Sequence, residues 1–352
     1  MRKIIIILDG LADTPIKQLK NKTPLEVANT PTLDYLASKS QCGLMYPIKN
    51  IAPESGASMF NLLGYPLNKY PGRGPVEALG AGIKLPKNFL ALRVNFAKVQ
   101  KNKLLNIRVQ PPSKQQLKQI NSIDKDIKLY STKGYRGVLI INKKLSKDIS
   151  NTHPGYKRHK NFSQAQKVTN KIKKLTGNKK TIKILNNFIK KLNKILKDKT
   201  ILIRGAGNSL PKLKKLNNWI LISEMPIERG IAKLAGMKIV EHTLVQNLLT
   251  TKKNVFVQIK GPDTYGHRGD YINKIKAIEE IDSKLRPLKQ LKNTLLCITS
   301  DHATPCNLKR HSKDPVPYLI YNRPPNNIKK FSEKACKFGK TIQGKDLMKY
   351  LK

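Results

Sequence analysis

The chain has 352 residues, 69 of them Lys or Arg against 22 Asp or Glu, giving a formal net charge of +47. That length can bury a substantial core as one large domain or two ordinary ones, and no segment reaches the roughly 20 consecutive apolar residues that a membrane helix needs. The four cysteines, Cys42, Cys297, Cys306 and Cys336, lack CxxC spacing, which argues against a zinc ribbon or a disulfide scaffold and for a reduced, cytoplasmic protein.

At the N-terminus, KIIIIL (3–8) is an apolar run too short for a signal-peptide core and ended by Asp9-Gly10; it reads as a buried strand of a parallel sheet. Thr30-Pro31 opens a helix with Leu33, Leu36 and Ala37 on its apolar side. A second helix signal runs from Ser55 to Gly64, and the Gly-rich GRGPVEALGAG (72–82) reads as loop and turn. Short strands at 90–96 and 137–141 precede a Lys-rich helical stretch over about 163–197, in which Ile184, Leu185, Phe188, Ile189, Leu192, Ile195 and Leu196 recur at helical spacing. TILIRGAG (200–207) is strand then turn, and NVFVQIKGPD (254–263) is the same. An amphipathic helix follows over 272–285, with Ile272, Ile275, Ile278 and Leu285 inward; TLLCITSD (294–301) and VPYLIYN (316–322) are strands. Strands alternating with helices at both ends predict an α/β fold. One sheet is built from residues 1–84 and 209–352, interrupted by an inserted domain over 85–208.

Three apolar strands run into an acidic residue, at Asp9, Asp263 and Asp301. Ligands in open α/β sheets bind beyond the carboxyl ends of strands, so the three carboxylates converge on one crevice. Their repulsion is relieved by a divalent cation, or by nearby Lys and backbone groups. Three of only six histidines sit beside them: His267, His302 and His311. Mixed carboxylate and imidazole ligation suits zinc, manganese, iron or cobalt better than calcium. With Ser55 the candidate ligands number seven, more than one ion needs, which points to a two-metal centre of the kind that clamps an in-line phosphoryl displacement. Ser55 is the candidate nucleophile, at a helix start whose N–H groups face an anion. Local sequence alone reads it as an ordinary N-cap, with Ser58 and Glu54 as rivals.

These segments resemble the archaeal type of cofactor-independent (2,3-bisphosphoglycerate-independent) phosphoglycerate mutase, in the alkaline phosphatase superfamily. The resemblance covers IIIILDGLADTPIKQLKNKTPLEVANTPTLDYLA (4–37), NLLGYP (61–66), GRGPVEALGAGI (72–83), LIRGAG (202–207), GIAKLAGM (230–237), KGPDTYGHRGD (260–270), DHATPC and HSKDPVP. It implies a mixed, mostly parallel sheet flanked by helices, with a smaller α+β insert that closes over the substrate. One metal is then expected on Asp263, His267 and His311, and the other on Asp9, Ser55, Asp301 and His302. The implied ions are two divalent cations, manganese foremost, with magnesium, cobalt or zinc as alternatives, and no bisphosphoglycerate takes part. Ser55 would take the phosphoryl group of 3-phosphoglycerate and return it to the 2-hydroxyl, a step of glycolysis and gluconeogenesis. Arg136, Arg204 and Arg229 occupy family-like contexts and are the expected substrate contacts, since phosphate and carboxylate both suit bidentate Arg. The nucleophile region reads PESGAS where this type more often has Gly then Ser-Asp, so Ser55 is aligned by its distance to NLLGYP.

Two other functions remain open at this level. A metal-dependent phosphatase or phosphotransferase on another small phosphorylated metabolite would keep the metals and Ser55. The charge also suits nucleic-acid binding, although a codon-biased proteome that places Lys on every solvated face gives the same composition. No helix-turn-helix, zinc-finger or RNA-recognition signature is present, so the expectation is weak, nonspecific polyanion association and no specific nucleic-acid partner. No membrane partner is expected, and the sequence leaves a homo-oligomer open.

Overall fold

The computed structural model describes residues 1–101, 103–240 and 247–352, and the chain packs as two units. The first comprises Met1–Pro66, Lys215–Glu224 and Ala235–Lys352, the second Leu67–Lys214 and Met225–Leu234. Residues 67–84, 209–214 and 225–234 thus pack with the second unit, away from the boundaries at 84/85 and 208/209 that the sequence led us to expect. The reason lies in the Gly-rich stretch, which is not a loop but contains the helix Arg73–Gly80. A Cβ on Gly74 would come 2.3 Å from the Ala91 carbonyl oxygen, and one on Gly80 1.6 Å from that of Pro226. Both glycines serve close backbone packing, so a composition that usually signals a turn here marks a tightly packed helix.

The first unit is built on an eight-stranded sheet. Its order is Lys238–Val240, Trp219–Ile222, Asn254–Ile259, Arg2–Leu8, Thr294–Thr299, Val316–Tyr321, Ser40–Tyr46 and Lys340–Gln343. Arg2–Leu8 is central, with parallel partners on both sides, and Ile4 through Leu8 are fully buried. An unbroken apolar run is what a strand covered on both faces requires. The sheet is mixed rather than wholly parallel: Val316–Tyr321 runs antiparallel to both its neighbours.

Two flanking helices show how the expected faces were met or missed. Pro31–Ser38 buries Leu33, Leu36 and Ala37, and its first N–H groups, Thr32 and Leu33, donate to the buried Asp282 carboxylate at 3.0 and 2.7 Å. In Tyr271–Leu285 the inward stripe is Ala277, Ile278, Ile281 and Leu285. Ile272 is 55% exposed, contrary to expectation, whereas Lys274 is fully buried. Polar partners at the sheet end, described below, are what admit that lysine.

The second unit holds a five-stranded antiparallel sheet of Lys103–Asn106, Leu90–Gln100, Arg136–Ile141, Ile127–Ser131 and Lys199–Gly207, the last pairing with Leu90–Gln100. Helix Lys179–Leu196 packs Leu185, Phe188, Leu192 and Leu196 into its core. That helix begins at 179, where Asn178 caps it by accepting from Thr181 N at 3.0 Å, and not near 163. Residues Phe162–Ala165 instead pair with Tyr156–His159 as a hairpin; the helical apolar spacing itself started only at Ile184. Among the described residues no helix is long and apolar enough to cross a membrane.

Candidate active site

Strand register assembles the acidic rim. Leu8 lies opposite Ile259 and Ile7 opposite Thr299, so the chain leaves three adjacent parallel strands side by side. Asp9 follows the first strand, Asp301 lies two residues beyond the last, and Asp263 opens the helix Pro262–Arg268 after the middle segment. Asp263 N donates to Asp9 O at 3.0 Å, which ties that helix start to the central strand end. One helical turn on, His267 returns to the same place, its Nε2 3.5 Å from Asp263 Oδ1. His311 comes back through the bridge between Ala303 and Ser312 and sets its Nε2 at 3.5 Å from that same oxygen. The rings of His302 and His311 stack at 3.6 Å.

Six expected ligands therefore converge, in two overlapping groups. Asp263, His302 and His311 offer atoms within 4.8 Å of one another, and so do Asp9, Asp301 and His302. His302 is common to both, and His267 joins the first through Asp263. The seventh, Ser55, is the first residue of the helix Ser55–Leu62. Glu54 holds the N-cap position, with no side-chain capping bond. The Ser55 hydroxyl is thus not consumed as a cap; its Oγ is 3.2 Å from His302 Nε2. Ser58, the local rival, donates its hydroxyl to the Asp301 carbonyl and is fully buried.

Hydrogen bonding shows what this rim lacks. His267 Nδ1 lies 3.0 Å from Lys309 O and His311 Nδ1 2.6 Å from Pro53 O. A carbonyl only accepts, so each Nδ1 carries a proton, and in the neutral ring each Nε2 presents a lone pair to Asp263. His302 Nε2 faces Asp9 Oδ1 at 3.4 Å and Asp301 Oδ2 at 3.3 Å. Burial, helped by His311, holds the His302 imidazole well below its ordinary pKa. Burial and the neighbouring Asp9 push the Asp301 carboxyl well above its own. Asp263 goes the other way: burial opposes ionisation, but the positive charge that His267, His311 and His302 carry when protonated outweighs it. Asp9 Oδ1 is buried and has no hydrogen-bond partner among the described residues. Acceptors facing acceptors in a buried site are costly unless a cation lies among them, so the donor set fits divalent metal.

Residues that sequence reading overlooked complete the rim. Lys260 Nζ pairs with Asp9 Oδ2. Gln258 Nε2 donates to Asp301 Oδ2 at 3.2 Å, and Gly10 N to Asp301 Oδ1 at 3.3 Å. Thr304 Oγ1 sits 3.0 Å from His302 Nδ1 and donates to Asp263 Oδ1 at 2.8 Å. Lys260 stood inside the KGPD motif and Thr304 inside DHATPC; position within those motifs was the available signal.

The expected arginines belong to the second unit. Arg204 is a cross-strand partner of Arg93, and Arg136 of Asn95, so the three arginines share one sheet face. Like charges directly opposed in a sheet are unfavourable. The counter-charge is Glu77, fully buried, 3.1 Å from Arg73 Nε and 3.2 Å from Arg93 Nε. Burial pushes the Glu77 carboxyl up, yet Arg93, Arg73, Arg136 and Arg204 together hold it below its ordinary value. Burial pushes Arg93 down to about 9. The Arg204 guanidinium lies 3.8 Å over the Tyr156 ring. Arg229, half-buried, lies on the helix Pro226–Ala235. Arg73 and Arg93 pair with Glu77, and guanidinium groups gathered on one sheet face are suited to a carboxylate or phosphate. Arg73 and Arg93 were not singled out from sequence, because neither spacing nor motif marked them as paired through Glu77.

Similarity to known proteins extends along the chain. Residues 37–201 match the profile of the family described as 2,3-bisphosphoglycerate-independent phosphoglycerate mutase. The chain is 33% identical to a protein of that name from Aeropyrum pernix, covering 97% of this chain and 95% of the relative. It is also 33% identical to a probable one from a Thermotoga species, over 98% and 92% of the two chains. Among solved structures, a protein from Pyrococcus horikoshii superposes with a TM-score of 0.80 at 27% identity, over 99% of this chain and 96% of that one. A cofactor-independent phosphoglycerate mutase from Thermoplasma acidophilum gives 0.63 at 26% identity, over 100% and 99%. A relative at one-third identity along nearly the whole of both chains shows the family: the chain belongs to the 2,3-bisphosphoglycerate-independent phosphoglycerate mutases.

Proposed function

We propose that this member of the mutase family interconverts 3-phosphoglycerate and 2-phosphoglycerate through a phosphorylated Ser55, without bisphosphoglycerate. The observation that carries the reading is the placement of Ser55: first in its helix, free of any capping bond, with its Oγ 3.2 Å from His302 Nε2. In the first half-reaction Ser55 Oγ bonds to phosphorus as the bond to glycerate O3 breaks; the serine gives up a proton and O3 gains one. Glycerate then turns, and its 2-hydroxyl takes the phosphoryl group back as the Ser55 bond breaks. Asp9, Asp301 and His302 would hold one divalent ion with Ser55, and Asp263, His267 and His311 the other, with manganese the expected metal. Bound there, such ions supply Lewis-acid charge that acidifies the serine hydroxyl and offsets the phosphoryl oxygens.

The arginine face of the second unit would take the anionic groups of the substrate, with Arg204 and Arg136 the foremost contacts and Arg73 and Arg93 beside them; Arg229 keeps its place as an expected contact. Closure of the second unit over the substrate remains part of the proposal, because a mutase must exclude water while glycerate turns. The reaction is a step of glycolysis and gluconeogenesis, and we assign it to the cytoplasm.

The test is a coupled assay with manganese on the purified protein and on Ser55→Ala. The variant should lose turnover by roughly a thousand-fold or more, and rapid acid quench of the parent should trap a phosphoryl group on the Ser55 peptide. Full turnover by Ser55→Ala would end the proposal, and free phosphate released as fast as 2-phosphoglycerate forms would replace the mutase with a phosphatase.

A further inference from the structure

Thr304 is fully buried and makes two bonds with one hydroxyl. The oxygen lies 3.0 Å from His302 Nδ1 and donates its proton to Asp263 Oδ1 at 2.8 Å. A threonine hydroxyl has a single proton. Since that proton goes to Asp263, the oxygen can only accept from His302, and His302 Nδ1 must be the protonated nitrogen. The Nε2 lone pair is thereby turned toward Asp9, Asp301 and Ser55.

The hydroxyl is also immobilised from several sides. Thr304 N donates to Ala12 O at 3.0 Å. Thr304 O accepts from Lys274 Nζ at 3.0 Å, and that ammonium also reaches Asp13 Oδ2 at 2.9 Å, both side chains being fully buried. A Cβ on Gly10 would meet Thr304 Oγ1 at 2.7 Å, and one on Gly266 would meet Thr304 O at 2.3 Å. Only glycine at these two positions lets the segments close on the threonine. The buried Lys274 on the inward face of that helix thus finds its reason: it fixes the loop that carries Thr304.

His267 and His311 have their tautomers set by backbone carbonyls. A carbonyl would serve His302 equally well for that purpose alone. A hydroxyl does something more, because it passes orientation on to Asp263. We propose that Thr304 is a positioning residue that links the two ligand groups, fixing the His302 tautomer and the Asp263 carboxylate through one proton, so that neither group is set independently of the other. The inference rests on the two-cation reading above.

The test uses the full chain, stripped of metal, as parent, Thr304→Val and Thr304→Ser. Titration with Mn²⁺, read by calorimetry and by counting bound ion, should show both sites of Thr304→Val weakened by roughly 10–100-fold, with Thr304→Ser close to the parent. Nitrogen chemical shifts of ¹⁵N-histidine, resolvable with six histidines, should report a single Nδ1–H tautomer for His302 in the metal-free parent and Thr304→Ser, and a mixture in Thr304→Val. Unchanged shifts in Thr304→Val overturn the inference, as does weakening confined to one ion. A parent that takes up no Mn²⁺ but shows the tautomer change overturns the two-cation reading and leaves the Thr304 link standing. Should the valine variant fail to fold, a Thr304→Ser protein with a mixed tautomer is the overturning result.

Discussion

The two units solve opposite electrostatic problems with the same device. In the first, Asp9, Asp263 and Asp301 meet lone-pair nitrogens from three imidazoles, so acceptors crowd together and a cation is wanting. In the second, Arg93, Arg136 and Arg204 share one sheet face and Glu77 lies against Arg73 and Arg93, so donors crowd together about a carboxylate. Each arrangement is costly when left alone. In both, strand register, with the short helices and loops that adjoin the strands, brings the side chains together. In a chain of +47, the lesson is that function is read from where charge is concentrated and buried, not from its sum.

Removing the cation breaks the comparison on one side only, and should give the largest effect. Dialysis against a chelator should abolish mutase turnover while far-UV circular dichroism stays unchanged. Readdition of Mn²⁺ at a hundred times its dissociation constant should restore turnover and add about 2.7 kcal/mol of stability. Turnover that survives chelation would remove the case for metal at the acidic rim.

The converse test acts on the arginine face. Arg204→Ala should raise KM for 3-phosphoglycerate by roughly 10–100-fold, the cost of a charged hydrogen bond. Metal affinity and the Ser55 phosphoryl trap should be unaffected. Arg204→Lys should recover little, because a point ammonium cannot reproduce the planar fork or its stacking on Tyr156. A KM unchanged in both variants would remove Arg204 from the substrate site.

How much of this was legible in the sequence depended on whether one segment carried the signal. Asp9, Asp263 and Asp301 could be placed because a strand end is a local feature, and parallel register turns three of them into one rim. The tautomers of His267 and His311 could not, since they depend on Lys309 O and Pro53 O, backbone groups with no sequence identity. Arg93 and Arg73 were missed for a related reason: their significance comes from sharing Glu77 across a helix and a strand. The helix Arg73–Gly80 was hidden by glycines whose purpose is packing, and Lys274 by partners contributed from loops around residues 13 and 304.

A half-buried carboxylate outside the rim, Glu333, gives the smallest effect and sharpens the contrast within the first unit. Glu333 accepts from Asp13 N at 2.9 Å and from the Thr23 hydroxyl at 2.7 Å. Burial pushes its carboxyl up from 4.5 to about 7, against those two bonds and the more distant Lys274. No imidazole set surrounds it as one surrounds Asp263, so the neutral form is the cheaper one. Because the folded value lies above the unfolded one, the native state keeps a proton that the unfolded chain releases between 4.5 and about 7. This contribution is therefore largest below that window and is lost as pH rises through it, by on the order of 3 kcal/mol. Urea unfolding of the metal-free protein on either side of the window should show that loss relative to Glu333→Gln, whose uncharged amide has nothing to release. Parallel pH profiles for the two proteins would mean that Glu333 is ionised throughout, and that burial alone does not separate it from the carboxylates of the rim.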